Sequence, residues 1–135
     1  MELDQDKIND IVKGNNRFLS AYSDPEPYFM YSFKKKIPDR ELTEYYYDKL
    51  RYAVQNSEDL IKDMFRDEFY DFYGVKKTAV HSHEEMRDGL IFESFTVDMD
   101  DRSVAVYFSN PEFMFGHFIE VHWDKDWNLV FYWID

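Results

Sequence analysis

The sequence predicts an α+β domain in which a helical N-terminal half packs on a C-terminal antiparallel meander of four strands. Two observations predict it: apolar residues recur at three- and four-residue spacing between residues 39 and 74, and four strand-like segments follow residue 89. A chain of 135 residues is long enough to bury a core unaided. We therefore expect a single domain over residues 1–135.

The N-terminal half begins with a predicted short helix over residues 4–13. Asp4 or Asp6 can cap this helix with its carboxylate, and Gly14 follows as a stop signal. Further along, Tyr28–Phe33 is rich in Tyr and Phe and follows two prolines. This run predicts either an edge strand or a loop that crosses a groove.

A longer helical pattern starts at Asp39. Its apolar positions share one helix face and are Leu42, Tyr46, Leu50 and Ala53 or Val54. The segment "QNSEDL" interrupts the pattern, and Ser57 can cap a second helix whose apolar stripe ends at Gly74. The two stretches together predict a helical hairpin or one bent helix.

The C-terminal half contains the segments "LIFESFTVD", "SVAVYFS", "HFIEVHW" and "NLVFYWI", which are separated by turn-forming residues. An antiparallel meander is the simplest way to connect them. Because side chains alternate between the two faces of a strand, the pattern predicts a core face and an opposite face. The core face is expected to hold Val104, Val106, Phe108, Ile119, Val121, Trp123, Leu129, Phe131 and Trp133. The opposite face is expected to show Tyr107, Glu120, His122 and Tyr132.

The net charge of −12 sets limits on the partners of this chain. Such a charge repels nucleic-acid backbones, and Lys34–Lys36 is the single basic run. Residues 1–77 hold 13 basic and 16 acidic residues, whereas residues 78–135 hold 3 basic and 12 acidic residues. The acidic C-terminal portion favours a basic protein as partner and excludes general nucleic-acid binding. The alternative is that the charge serves solubility alone.

Several classes of protein lack support in the sequence. The N-terminus has no signal-peptide pattern, and no apolar run approaches the roughly 20 residues that cross a bilayer. The chain contains no cysteine, no Gly-x-Ser-x-Gly elbow and no glycine-rich phosphate loop. We therefore expect a cytoplasmic protein that has no membrane segment and no cofactor, and the sequence favours a non-enzymatic role.

The densest histidine cluster is "HSHEEM", which begins at residue 81. His81 and His83 form a His-x-His pair of a kind that can bind zinc, and His117 or His122 would have to supply a third imidazole. The same letters contain the Ser-x-x-Glu spacing of a capping box, which predicts a helical turn through Met86–Asp88. A polar loop with a capping box is the favoured interpretation, and a metal site is the alternative.

Four carboxylates recur at four-residue spacing along the second predicted helix. They are Asp59, Asp63, Asp67 and Asp71. Like charges at this spacing destabilise a helix slightly, so a basic partner could offset their repulsion. A solvated face on which Lys62 and Arg66 form salt bridges is the simpler explanation.

The segment "FMFGHFIEVHWD", preceded by "IFESFTVDMDDRSVAVYF", resembles the end of a group of small bacterial domains of unknown function. Their last strands carry a Phe-x-Gly-His-x-Ile-x-Val signature. The resemblance is carried here by Phe115, Gly116, His117, Ile119 and Val121, with Phe115 directly before the glycine. The match covers Leu90–Asp135, and the glycine expected after the last strand is missing. The resemblance implies an immunity protein, which neutralises a toxin made by the same or a neighbouring cell.

The leading hypothesis is an acidic protein-interaction domain that binds a basic toxin or nuclease. Its predicted partner-binding residues are Asp59, Asp63, Asp67, Asp71, Tyr107, Glu120, His122 and Tyr132, since acidic and tyrosine-rich surfaces suit such a partner. The alternative is a metal-dependent enzyme or small-ligand binder that uses His81, His83 and nearby carboxylates. A third hypothesis is self-association through an exposed strand at Tyr28–Phe33, and the oligomeric state stays open.

Overall fold

A computed structural model of the chain describes residues 3–15, 28–30, 39–62, 83–98, 100–110 and 118–134. The helices in these ranges are α1 (Gln5–Val12), α2 (Asp39–Gln55), α3 (Ser57–Ile61) and α4 (His83–Asp88). The strands are β1 (Tyr28–Met30), β2 (Ile91–Asp98), β3 (Val104–Ser109), β4 (Phe118–Trp123) and β5 (Leu129–Ile134). The predicted α+β class is confirmed.

The five strands form one sheet in the order β1-β2-β3-β4-β5. The strands from β2 to β5 pair antiparallel with their neighbours in the sequence, which confirms the predicted meander. β1 adds a fifth strand that runs parallel to β2, with Tyr28 opposite Thr96. The sequence left an edge strand and a loop as alternatives for Tyr28–Phe33, and the part that the structure describes, Tyr28–Met30, is a strand at one end of the sheet.

The N-terminal helix follows its sequence signals closely. Asp4 is the N-cap, and its carboxylate accepts hydrogen bonds from the backbone N–H groups of Asp6 and Lys7. Gly14 adopts a φ of 82°, a left-handed conformation that ends helices and favours glycine. Ile8 and Val12 are buried on the inner face of α1, as their spacing predicts.

The helices and the sheet contribute to one buried core in the part of the chain that the structure describes. The buried positions of α2 are Leu42, Tyr46, Tyr47, Leu50, Ala53 and Val54, which include every position predicted from the helical spacing. Tyr46 meets Phe95 of β2 edge to face, with ring centroids 5.3 Å apart. The predicted core residues of β3 and β4, from Val104 to Trp123, are also buried.

The prediction of which side chains of the last strand face the core is wrong. Trp123 pairs with Leu129, but His122 pairs with Phe131, so Val130 forms a β-bulge on β5. The extra residue reverses the alternation, because each later side chain moves to the other face. Tyr132 therefore lies opposite Val121 and packs against the core, although it was predicted on the opposite face. Leu129, Phe131 and Trp133 were predicted in the core and are instead exposed.

Two further details refine the helical half. Ser57 was predicted to cap the second helix, but Asn56 holds the N-cap position and Ser57 is the first helical residue. The Ser57 hydroxyl is buried and accepts a hydrogen bond from the Asn15 side chain, which ties α3 to the end of α1. The turn expected through Met86–Asp88 is present as α4.

No helix among the described residues has the length and apolar character needed to cross a membrane.

Candidate interaction surface on the last two strands

A buried carboxylate lies at the centre of the sheet face that points away from the core, which we call the outer face. Glu120 is on β4, and the strand register places Tyr107 of β3 on one side of it and Trp133 of β5 on the other. His122 follows two residues later on the same face, since side chains alternate along a strand. The meander thus gathers three polar or aromatic side chains around Glu120, one from each of the strands β3, β4 and β5.

Glu120 accepts a hydrogen bond from each of these neighbours. The Tyr107 hydroxyl donates to Oε1 at 2.7 Å, and the Trp133 indole Nε1 donates to Oε2 at 2.6 Å. His122 Nε2 lies 2.6 Å from Oε1 and donates its proton there, because an ionised carboxylate offers acceptors alone. Burial acts to raise the pKa of Glu120, but the hydrogen bonds from Tyr107, His122 and Trp133 outweigh it and lower the pKa.

These contacts give Glu120 a structural role. The residue is 8 % exposed, and its charge is held ionised by three donors that leave it little access to a reacting group. His122 is oriented by its hydrogen bond to Glu120 and by stacking on the ring of Phe131, with ring centroids 4.1 Å apart and an angle of 17° between the ring planes. Glu120 therefore fixes the positions of the side chains that surround it.

The strand beside this network exposes large apolar side chains. The exposed fractions on β5 are 44 % for Leu129, 59 % for Val130, 47 % for Phe131 and 44 % for Trp133. Residues of this size usually bury most of their surface, and a contiguous exposed group of them marks an interaction site. Among the residues that the structure describes, β5 pairs with β4 alone and ends the sheet. We call the side of Leu129–Ile134 that faces away from β4 the β5 edge.

An acidic groove of about 530 Å³ lies at the beginning of β5. It runs between the β2–β3 loop and the β4–β5 turn. Its lining includes the carboxylates of Asp100, Asp101, Asp124 and Asp126 and the apolar side chains of Val130 and Phe131. Two cations, Arg102 and Lys125, also line the groove, and Arg102 is paired with Glu41 of α2 at 3.2 Å. Four carboxylates against two cations leave the groove with a net negative charge. The groove therefore presents negative charge next to the exposed apolar strand.

The β4–β5 turn that forms one wall of the groove is held by its own hydrogen bonds. Asp124 accepts from the backbone N–H and side-chain amide of Asn128 at 2.9 Å and 3.0 Å, and these bonds lower its pKa. Trp127 has a φ of 67° and stacks on Tyr52 of α2 with ring centroids 4.7 Å apart. Lys49 donates to the carbonyl of Lys125. The turn is thus fastened to α2.

The structure brings together three of the predicted site residues, Tyr107, Glu120 and His122. Tyr132 lies on the core side, and Asp59 is exposed on α3. The other sequence predictions lie outside the described residues: Asp63, Asp67, Asp71, His81, Phe115, Gly116, His117 and Lys34–Lys36. His83 is the first residue of α4. Within the described ranges, no group of three or more His, Cys, Asp or Glu side chains could hold a metal ion.

The apolar part of this surface was not predicted from the sequence. Val130, Phe131 and Trp133 belong to "LVFYWI", in which every residue is apolar, so alternation cannot assign its faces. A signal was nevertheless present: the indole of Trp133 needs a hydrogen-bond acceptor when it is partly buried, and Glu120 is the carboxylate on the neighbouring strand.

Comparisons with protein-family models, with curated proteins and with solved structures found no match to this chain. Its function has to be inferred from the outer face, the β5 edge and the acidic groove.

Proposed function

We propose that this protein is an acidic interaction domain that binds a basic protein and inhibits it, in the manner of an immunity protein that blocks a toxin or nuclease. The observation that carries the proposal is the exposed apolar strand β5 at the end of the sheet, next to an acidic groove. Aromatic side chains supply most of the affinity at protein interfaces, and charged rims supply rate and specificity.

The aromatic part of the surface is pre-organised. Phe131 stacks on His122, and Trp133 is hydrogen-bonded to the buried Glu120, so neither ring needs to be ordered when a partner arrives. Holding an interface side chain in place before binding removes part of the entropy cost of association. The two rings are therefore suited to be the anchors of an interface.

The electrostatic part of the surface selects the partner. The net charge of −12 and the four groove carboxylates attract a basic protein over a distance of about 10 Å at moderate salt. Association is expected to be fast at low salt and to slow as salt rises. Inhibition by such a domain is steric, since it needs no chemistry of its own.

The test uses the purified protein as bait in native lysate at low and high salt, followed by purification of each retained protein and measurement of its binding kinetics. A double variant, Asp100→Asn with Asp126→Asn, neutralises the groove. The matched control, Asp10→Asn with Asp48→Asn, removes the same charge from exposed positions on α1 and α2. We expect the groove variant to lower the on-rate about ten-fold and the control to change it far less.

Two results would count against the proposal. Equal slowing by the groove variant and the control would show attraction to net charge without a defined surface. Binding that survives replacement of both Phe131 and Trp133 by Ala would exclude the β5 aromatic residues as anchors.

A further inference from the structure

We infer that the β5 edge accepts an extended basic segment of the partner as an additional strand of the sheet. This inference rests on the proposed function and adds to it the binding mode and the kind of segment recognised. A strand at the end of a sheet presents backbone N–H and C=O groups that a second chain can pair with.

The two ends of the sheet differ in how they are protected against pairing. Within the described residues β1 spans three positions, Tyr28–Met30, and short edge strands are one of the devices that prevent unwanted pairing. β5 has six residues and contains no Lys, Pro or Gly. Its single bulge is at Val130, so Phe131–Ile134 continues as regular strand. This end of the sheet is therefore the one suited to strand addition.

Charge distinguishes between the possible occupants of the β5 edge. A second copy of this chain would bring another −12 charge and would place its own acidic turn near the groove. A basic segment instead gains from Asp100, Asp101, Asp124 and Asp126, which lie at the end of the edge where β5 begins. We therefore commit to a basic segment of another protein as the occupant.

The side chains of β5 indicate what the added strand should contain. Phe131 and Trp133 lie on the outer face, so residues of the added strand that share this face meet aromatic rings and are expected to be apolar. Lys or Arg is expected at the end of the segment that reaches the acidic groove. The recognised motif is an alternating apolar and polar strand that has basic residues at one end.

The first experiment measures binding of a labelled synthetic peptide in which Val and Thr alternate over six residues. One version carries Lys-Arg at its N-terminal end, and the other carries Lys-Arg at its C-terminal end. A matched peptide carries N-methyl groups on alternate backbone amides, which removes hydrogen-bond donors while the charge and the side chains are unchanged. We expect the better of the two unmethylated peptides to bind about ten-fold or more tightly than its methylated form, because strand addition depends on these donors.

Hydrogen exchange of the protein gives a second readout. We expect β5 amides in Phe131–Ile134 to gain protection when the unmethylated peptide binds, whereas the amides of α1, which lies outside the groove and the β5 edge, stay unchanged. Lysine placed on the strand by Val130→Lys should weaken binding, and the volume-matched Val130→Thr should not. Val130 is 59 % exposed, so both variants are expected to fold.

The outcomes separate this inference from the proposed function. Equal affinity of the methylated and unmethylated peptides, or no binding by either at low salt, would overturn strand addition. The proposed function would still be judged by the groove and aromatic variants against a purified partner. Sedimentation that shows a dimer with protected β5 amides and no peptide present would overturn the inference in favour of a second copy.

Discussion

Trp133 Nε1 lies 2.6 Å from Glu120 Oε2, so a half-exposed indole at the end of the sheet is held by a buried carboxylate on the next strand. The two residues are directly opposite each other in the register of β4 and β5. A hydrogen bond to a charged group is stronger than a neutral one. This pair links the stability of the outer face to the position of an exposed aromatic side chain.

Replacing Glu120 by Gln should destabilise the fold. Glutamine keeps the shape, but its amide has one oxygen where the carboxylate offers two, so one of the donors around it faces an N–H group. The expected loss in the free energy of unfolding is about 1–3 kcal/mol, as for other buried groups that lose a charged partner. Urea unfolding followed by far-UV circular dichroism measures it.

The control for this variant is Asp10→Asn, which makes the same chemical change at an exposed position of α1. Exposed substitutions of this kind are expected to change the free energy of unfolding by about 0.5 kcal/mol or less. If Glu120→Gln behaves like the control, the hydrogen bonds from Tyr107, His122 and Trp133 contribute nothing measurable to folding.

The contribution of Glu120 should also depend on pH. Burial raises the pKa of Glu120, but the hydrogen bonds donated to it lower the pKa by more, so the folded value lies below the ordinary 4.5. A carboxyl whose pKa is lowered by folding contributes its full stability above the unfolded pKa and loses it as the pH falls through the folded value. The difference in unfolding free energy between wild type and Glu120→Gln should therefore shrink below about pH 4.5.

A series of urea titrations between neutral pH and about pH 3 tests this expectation. Tyr107→Phe retains Glu120 and its hydrogen bonds from His122 and Trp133. The contribution of Glu120 to the free energy of unfolding should therefore still decrease as the pH falls, but by less than in the wild type. A wild-type to Glu120→Gln difference that stays constant over the whole range would show that Glu120 does not ionise with a lowered pKa.

Much of the fold follows from local signals in the sequence. The strands β2 to β5 are alternating or continuous apolar segments between turn formers, and α2 has a regular helical period, so each could be recognised from its own residues. The pairing of β1 parallel to β2 could not, since three residues carry no information about a partner far along the chain. Such long-range pairing depends on the packing of the whole core.

The site was predictable where alternation is clear and unpredictable where it is not. Glu120 and His122 alternate with the buried Ile119, Val121 and Trp123, so their common face was recognised correctly. The bulge at Val130 has no such signal, because the residues around it are all apolar. The acidic groove is formed by two turns whose proximity depends on the register of β3 with β4, which local patterns do not specify.

Gly89, which lies between α4 and β2, should not tolerate a larger side chain. A Cβ atom at this position would lie 3.0 Å from Oδ1 and 3.1 Å from Nδ2 of Asn110, which is 1 % exposed. Gly89→Ala therefore crowds a packed amide and is expected to cost about 1–3 kcal/mol of unfolding free energy. A thermodynamic cycle with Asn110→Ser tests the cause, since the shorter side chain should reduce the cost of the alanine. Additive effects of the two substitutions would contradict this contact.

Trp127 combines a stabilising contact with an unfavourable backbone conformation, and two substitutions separate them. Its φ of 67° lies in the left-handed region, while its ring stacks on Tyr52 of α2 at 4.7 Å. Trp127→Ala loses the stacking and keeps the backbone strain, whereas Trp127→Gly loses the stacking and relieves the strain. Both variants should be less stable than wild type, and the glycine variant should be the more stable of the two by about 1 kcal/mol.

Thermal and urea unfolding measure the stabilities of the two Trp127 variants, and Tyr52→Leu provides the matched control. This substitution removes the stacking from the helix side and leaves the backbone of the turn unchanged. Trp127→Gly should therefore remain more stable than Trp127→Ala both with and without Tyr52→Leu. If alanine proves as stable as glycine, the left-handed conformation costs nothing here. The turn would then owe its shape to the hydrogen bonds of Asp124 with Asn128, which both variants retain.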